Sequence, residues 1–305
     1  MNWKLLAKIT VSAVLLYLIY YFIDLKEITS QIRKADLVLI LSAPVSYIIS
    51  IIFGNLSWIL IVRSENRHVR TFDLVSCYCQ GLFFNNVLPT SFGGDVVKGY
   101  SIINKYQQKS YFISSILLDR MINFFMLEMI GAAAFIIYFE KYTLLIVLAG
   151  VLALGFIIFT LLNRSLVFFI LTTLRRRRRY KWLYIFAVPM LILKNISKQK
   201  LRAFSVLLSA FFSQFFKISI SVLVGAALGF SLRPAIYCVV PVTSFFAMLP
   251  VSINGIGVRE SASWLFHEFG GLDAQQYITI TVIGFFILTV INCFGIIFFI
   301  LDRKK

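Results

Sequence analysis

Two short segments concentrate the residues able to do chemistry. Residues 88–98 read LPTSFGGDVVK and residues 249–259 read LPVSINGIGVR. At an offset of 161 residues, Leu88/Leu249, Pro89/Pro250, Ser91/Ser252, Gly94/Gly255 and Val97/Val258 recur, and a base closes each segment, Lys98 and Arg259. Proline lacks an N–H and disfavours helix at the residue before it, so each proline stops a helix. The glycines let the chain turn and bring bare backbone close to a ligand. Ser91 and Ser252 are placed to cap a following half-helix, whose first N–H groups attract an anion. With Lys98 and Arg259 about one to two turns further on, the chemistry these residues suit is recognition of a phosphate. The alternative, that both segments are only structural hairpin tips, stays open at this stage.

Further polar residues stand inside otherwise apolar runs. Asp119 and Arg120 are followed by Asn123 and Glu128, and Lys217 lies among phenylalanines. Charges at membrane depth are costly and usually face a bundle interior or a watery cavity in pairs. Lys217 is therefore expected to pair with Glu128 or Asp119, either as a structural ion pair or in headgroup handling or proton coupling. The expected substrate-binding set is Pro89, Ser91, Gly94, Asp95, Lys98, Arg120, Ser252, Asn254, Gly255, Arg259 and Glu260. No catalytic or metal set is expected. Cys77, Cys79, Cys238 and Cys293 lie in apolar stretches, His68 and His267 are the only histidines, and no cluster supplies four tetrahedral ligands. No cofactor is implied.

The elements that must position these residues follow from composition. Of 305 residues, 60% are hydrophobic and 14% charged, far from the roughly 25% charge of a soluble domain, and the mean hydropathy is +0.87. This excludes an ordinary soluble domain, a disordered tail and a disulfide scaffold. A span needs about 20 apolar residues, which predicts helices near 5–23, 37–62, 110–139, 142–163, 203–230 and 276–301. Tyr20, Tyr21 and Phe22 stand where a signal cleavage site wants small residues, so the first run reads as an uncleaved span. The stretches 74–89 and 235–250 are short and end in Leu-Pro, which suits re-entrant segments. Residues 165–174 and 182–193 flank Arg175 to Arg179 and read as interfacial.

Charge placement orients this bundle. With the N-terminus in the cytoplasm, 22 basic residues and four acids fall inside, against six basic residues and seven acids outside. That asymmetry is the positive-inside pattern, and it absorbs the net charge of +17 without nucleic acid. The Arg175–Arg179 run is either topogenic or seated on anionic headgroups. In this topology the two motifs are entered from opposite sides, so the repeats are inverted, as in secondary transporters. The expected fold is an all-α polytopic membrane bundle with about six spans, two re-entrant broken-helix motifs and inverted repeats near 37–139 and 203–301. All of 1–305 reads as one membrane domain, with 164–202 a basic connector.

The motifs PTSFGGDVVK and SINGIGVRE, with Asp119–Arg120 between them, resemble the flippase-like transmembrane family that includes the membrane domain of lysylphosphatidylglycerol synthases. The positions matching its motifs are Pro89, Gly94, Asp95, Lys98, Asn254, Gly255, Arg259 and Glu260. In bifunctional members a soluble aminoacyl-transferase domain follows the membrane domain. This sequence ends at Asp302-Arg-Lys-Lys, so the resemblance implies a stand-alone member that binds and translocates lipid without making lysyl-lipid. It also implies a multi-pass protein of a bacterial or archaeal cytoplasmic membrane, and the charge placement puts both termini inside. Its substrate is expected to be a phospholipid or a polyprenyl-phosphate-linked lipid.

Three functions compete. The leading one is a flippase for a phosphate-bearing lipid, with anionic membrane lipids as partners. A membrane transferase using a polyprenyl-phosphate donor is the second, although the sequence contains no D-x-D, H-E-x-x-H or G-x-S-x-G. The third is a subunit that anchors a lipid-modifying enzyme or glycosyltransferase through residues 175–202.

Overall fold

A computed structural model describes residues 33–65, 68–88, 92–138, 192–193, 195–230 and 272–303, with isolated positions at 237, 241 and 244. The expected spans 5–23 and 142–163 and the Arg175–Arg179 run lie outside the described residues. So do nearly all of the stretch 235–250 and, apart from 192–193, the interfacial segments expected at 165–174 and 182–193. The described residues are helical and contain no strand. In chain order the principal helices are α1 (Leu37–Val62), α2 (Thr71–Val87), α3 (Gly93–Tyr106), α4 (Lys109–Tyr138), α5 (Lys200–Ala227), α6 (Ala274–Cys293) and α7 (Gly295–Arg303).

Among the described residues, three stretches are long and apolar enough to cross a membrane: α1, α5, and the run Gln275–Asp302 through α6 and α7. The chain is a multi-pass membrane protein, and the distribution of side chains shows why. Leu37, Val38, Leu41, Val45, Ile48, Ile52 and Leu56 are exposed along α1, whereas Ser46, Ser50, Asn55 and Ser57 are buried. Lipid tails are as apolar as leucine, so packing between helices relies on small residues and interhelical hydrogen bonds.

The α1–α5 pair illustrates this. Asp36 caps α1, its Oδ1 accepting from the N–H groups of Val38 and Leu39 at 2.8 and 3.3 Å, while its own N–H donates to the Ala227 carbonyl at the end of α5. The two helices are therefore antiparallel. Ser46, Ser50 and Gly54 recur every fourth residue and so share one face of α1. From that face the Ser50 hydroxyl donates to the Ser213 carbonyl at 2.8 Å, and the Ser213 hydroxyl returns a bond to the Ser50 carbonyl at 3.0 Å.

Helices α2 and α3 form an antiparallel hairpin. At its base Tyr106 Oη donates to Asp73 at 2.8 Å and Lys105 Nζ meets Asp73 at 2.9 Å; midway Ser101 donates to Gln80 at 2.9 Å. The base packs at the C-terminal end of α1, where Trp58, Ile59 and Val62 meet Leu74, Cys77, Ile102 and Phe112. The other end of α2 reaches the Thr289 carbonyl through Asn86 at 3.1 Å. Beside it Tyr47, only ten residues into the 26-residue α1, donates to Asn292 at 2.8 Å. The N-cap of α3 is Phe92, one residue beyond the serine expected to cap it. Asn85 supplies the missing acceptor from across the hairpin, taking the Gly94 N–H at 2.8 Å.

The predicted span at 276–301 divides at Phe294, between α6 and α7. Gly295 marks the reason for a small residue there, since a Cβ would run into the Cys79 carbonyl of α2. This contact brings Asp302 to the hairpin base, where it accepts from Lys105 at 2.6 Å and from Gln80 at 2.9 Å.

The base cluster has a defined pH dependence. Burial pushes the Asp73 carboxyl up, but hydrogen bonds from Lys105 and Tyr106 outweigh it and hold the group below its ordinary value. Burial pushes Lys105 down, but its bonds to Asp302 and Asp73 outweigh it, so the ammonium is held above its ordinary value. A depressed carboxylate contributes stability above its unfolded value and loses it as pH falls through the folded one; a raised ammonium contributes below its unfolded value and loses it as pH rises. With unfolded values of about 3.9 and 10.4, the cluster should be intact from about pH 5 to 10. In detergent, the melting-temperature difference between wild type and Asp73→Asn should be greatest in that window and shrink below about pH 4. Solvent screening limits the difference to about 1 kcal/mol, and a difference that grew on acidification would contradict the assignment.

Candidate functional site

The hairpin tip, together with α1, α4 and α5, encloses a cavity of about 210 Å³. Its wall carries Tyr47 and Ser50 from α1, Tyr78, Gly81 and Asn85 from α2, and Asp95 and Lys98 from α3. Helix α4 adds Asp119, Arg120 and Asn123, and α5 adds Ser213, Gln214 and Lys217. Five apolar helices thus turn their polar residues toward one space.

The charged residues form two ion pairs across the α3–α4 interface. Asp95 and Lys98 are three residues apart on α3 and therefore share a face. Lys98 Nζ lies 3.6 Å from Asp119 Oδ2, and both side chains are deeply buried, with 5% and 9% of their surface exposed. The ammonium also sits 3.7 Å from the centroid of the Trp58 ring and 4.5 Å from that of Tyr78, two cation–π contacts strengthened by the exclusion of water. Asn123 donates to Asp119 at 3.0 Å and accepts from Gln214 at 2.8 Å, extending the network to α5. The second pair joins Arg120 Nε to Asp95 Oδ2. Its side chains are more accessible, 25% and 22% exposed, and the guanidinium lies 4.4 Å from the centroid of the Phe92 ring.

Of the residues expected from sequence, Asp95, Lys98, Asp119, Arg120 and Lys217 meet at this cavity, and Gly94 packs against its α2 wall. Asp119 has Lys98 as its ion-pair partner, where the sequence argument looked to Lys217. Lys98, grouped with the cytoplasmic charge by topology, is only 4% exposed. Glu128 is not among the cavity-lining residues, and its buried Oε1 has no hydrogen-bond partner among the described residues. Pro89, Ser91, Pro250, Ser252, Asn254, Gly255, Arg259 and Glu260 lie outside the described residues.

Sequence reasoning missed Trp58, Tyr78, Asn85 and Gln214. The last two carried a signal, being uncharged polar residues within apolar helices, where each must find a hydrogen-bond partner. Trp58 and Tyr78 carried none, because a single aromatic on such a helix reads as packing. The arrangement can bind and orient an anion, since among the described residues three basic and two acidic side chains on the wall leave a formal excess of one positive charge.

No curated protein matches the chain, and no solved structure does. Residues 5–295, nearly the whole sequence, match the family described as the lysylphosphatidylglycerol synthase TM region. With a multi-pass helical architecture and the motif residues Asp95, Lys98 and Arg120 gathered at one polar cavity, the chain belongs to that family of membrane domains.

Proposed function

We propose that this protein is a transporter that moves a phosphate-bearing lipid, a phospholipid or a polyprenyl-phosphate-linked lipid, between leaflets. The observation that carries the reading is the cavity itself, where Lys98, Arg120 and Lys217 are brought together among apolar helices. Burying several charges in a bilayer is costly, and such groups commonly mark a substrate pathway. A volume of about 210 Å³ suits a headgroup, which leaves the acyl or prenyl chains to the apolar outer faces.

Two further features support the reading. The base of the α2–α3 hairpin packs at the C-terminal end of α1, and the far end of α2 reaches the Thr289 carbonyl of α6 through Asn86, contacts that fit a segment entering and leaving on one side. The reciprocal Ser50–Ser213 bonds join two antiparallel helices that the 161-residue offset nearly superimposes in sequence. Inverted copies meeting on a shared two-fold axis make such a contact. On this reading both termini lie in the cytoplasm of a bacterial or archaeal cell, anionic lipids are the partners, and transport involves no catalytic step.

Reconstitution into liposomes tests this. The wild type should speed transfer of a fluorescent anionic phospholipid between leaflets. Losing one charged hydrogen bond to phosphate costs about 1.5–3 kcal/mol, so Arg120→Gln should slow transfer roughly ten- to a hundredfold. Transfer left unchanged by Arg120→Gln, by Lys217→Gln and by the pair together would remove the proposal.

A further inference from the structure

The two ion pairs at the cavity differ in what they leave open. Lys98 and Asp119 are only 5% and 9% exposed, with Trp58 and Tyr78 against the ammonium and Asn123 on the carboxylate, so an incoming anion finds little of that ammonium. Arg120 and Asp95 both remain about a quarter exposed. The Phe92 ring backs the guanidinium, and a planar guanidinium binds carboxylate and phosphate through the same hydrogen-bonding fork. A phosphate approaching Arg120 therefore meets a site already occupied by the Asp95 carboxylate.

We infer that Asp95 is an internal competitor at the anion site and tunes its selectivity, shifting it away from a doubly charged phosphomonoester and toward a singly charged phosphodiester. The inference rests on the cavity being the phosphate-lipid site. The phosphate enters by exchange, taking the guanidinium as the carboxylate swings aside. The carboxylate stays in the cavity and keeps the formal charge of the described lining residues at +1, from Lys98, Arg120 and Lys217 against Asp95 and Asp119. A monoanion balances that charge. A dianion overshoots it and is repelled by Asp95 twice as strongly, because the interaction scales with the ligand's charge.

That scaling gives the test. A phosphomonoester has its second ionisation near pH 6 and carries close to two charges at pH 8. Binding of dioctanoyl phosphatidylethanol, a diester, and of dioctanoyl phosphatidic acid, a monoester, is measured at pH 8 on the purified full chain by titration of Trp fluorescence. If removing the Asp95 charge improves monoanion binding about tenfold, dianion binding improves on the order of a hundredfold, the square of that factor. The monoester-to-diester affinity ratio should thus rise about tenfold in both Asp95→Asn and Asp95→Ser. This ratio is independent of the fraction of protein that is folded, so a destabilised variant still reports. A ratio unchanged in both variants overturns the inference. Unaltered binding of both lipids in Arg120→Gln overturns instead the reading of the cavity on which it rests.

Discussion

Replacing Asp119 with asparagine is expected to destabilise the protein by about 3–5 kcal/mol, the cost of stranding one member of a buried ion pair. Lys98 is only 4% exposed, and its ammonium is fixed between Trp58 and Tyr78 with Asp119 3.6 Å away. Asparagine keeps the shape of the side chain and its bond with Asn123, so the loss isolates the charge. Lys98→Met should be costly for the mirror reason, leaving a buried carboxylate that still accepts from Asn123 but has lost its cation. The double variant Lys98→Met/Asp119→Leu should recover most of either loss, because two apolar side chains of similar bulk remove both desolvation costs together. Thermal unfolding in detergent of the wild type, Lys98→Met, Asp119→Leu and the double variant closes the cycle and gives the coupling, with Asp119→Asn measured beside them. Single variants that each cost under about 1 kcal/mol would mean that water reaches the pair and screens it.

The helices were legible in the sequence where the bilayer imposes a length. The run read at 37–62 is α1 with the same bounds, and those read at 110–139 and 203–230 are α4 at 109–138 and α5 at 200–227. Long apolar runs bracketed by charge leave little freedom in such an environment. The site was legible as a set of residue types and illegible as a set of partners. Asp95, Lys98, Asp119 and Arg120 stood out because each is a charge that an apolar helix cannot leave unsatisfied. Which of them pair depends on how α3 lies against α4, and that register is set by contacts between α2 and α3 that sequence spacing does not encode. The capping of α3 shows the same limit. A serine two residues before a helical run is a strong local signal, yet Asn85, nine residues before Gly94 and on another helix, accepts the Gly94 N–H. Likewise the break at Phe294 follows from the close approach of Gly295 to Cys79, a tertiary reason invisible in an apolar run.

Two glycines of one helix should respond to the same substitution with opposite signs. A Cβ on Gly94 would run into the Gly81 carbonyl and stand 2.5 Å from the Asn85 side chain. The carbonyl is backbone and cannot rotate away, so α3 has to lift from α2. A Cβ on Gly99 would find its nearest neighbour, the flexible Cδ1 of Ile116, at an ordinary 3.4 Å. Gly99→Ala should therefore gain about 0.5–1 kcal/mol from the better helix propensity of alanine. Gly94→Ala should lose about 1–3 kcal/mol through overpacking, despite the same propensity gain. The functional consequence follows from where the lift falls. Asp95 is the next residue and Lys98 lies one turn on, so moving the start of α3 disturbs both ion pairs to α4 and, with them, the anion-binding wall. Gly94→Ala is thus expected to lower the affinity for anionic lipid along with the melting temperature, whereas Gly99→Ala raises the melting temperature and leaves affinity near wild type. Equal stability changes in the two variants would mean that the hairpin is not packed backbone to backbone at Gly81 and Gly94, and the positions of Asp95 and Lys98 would need another support.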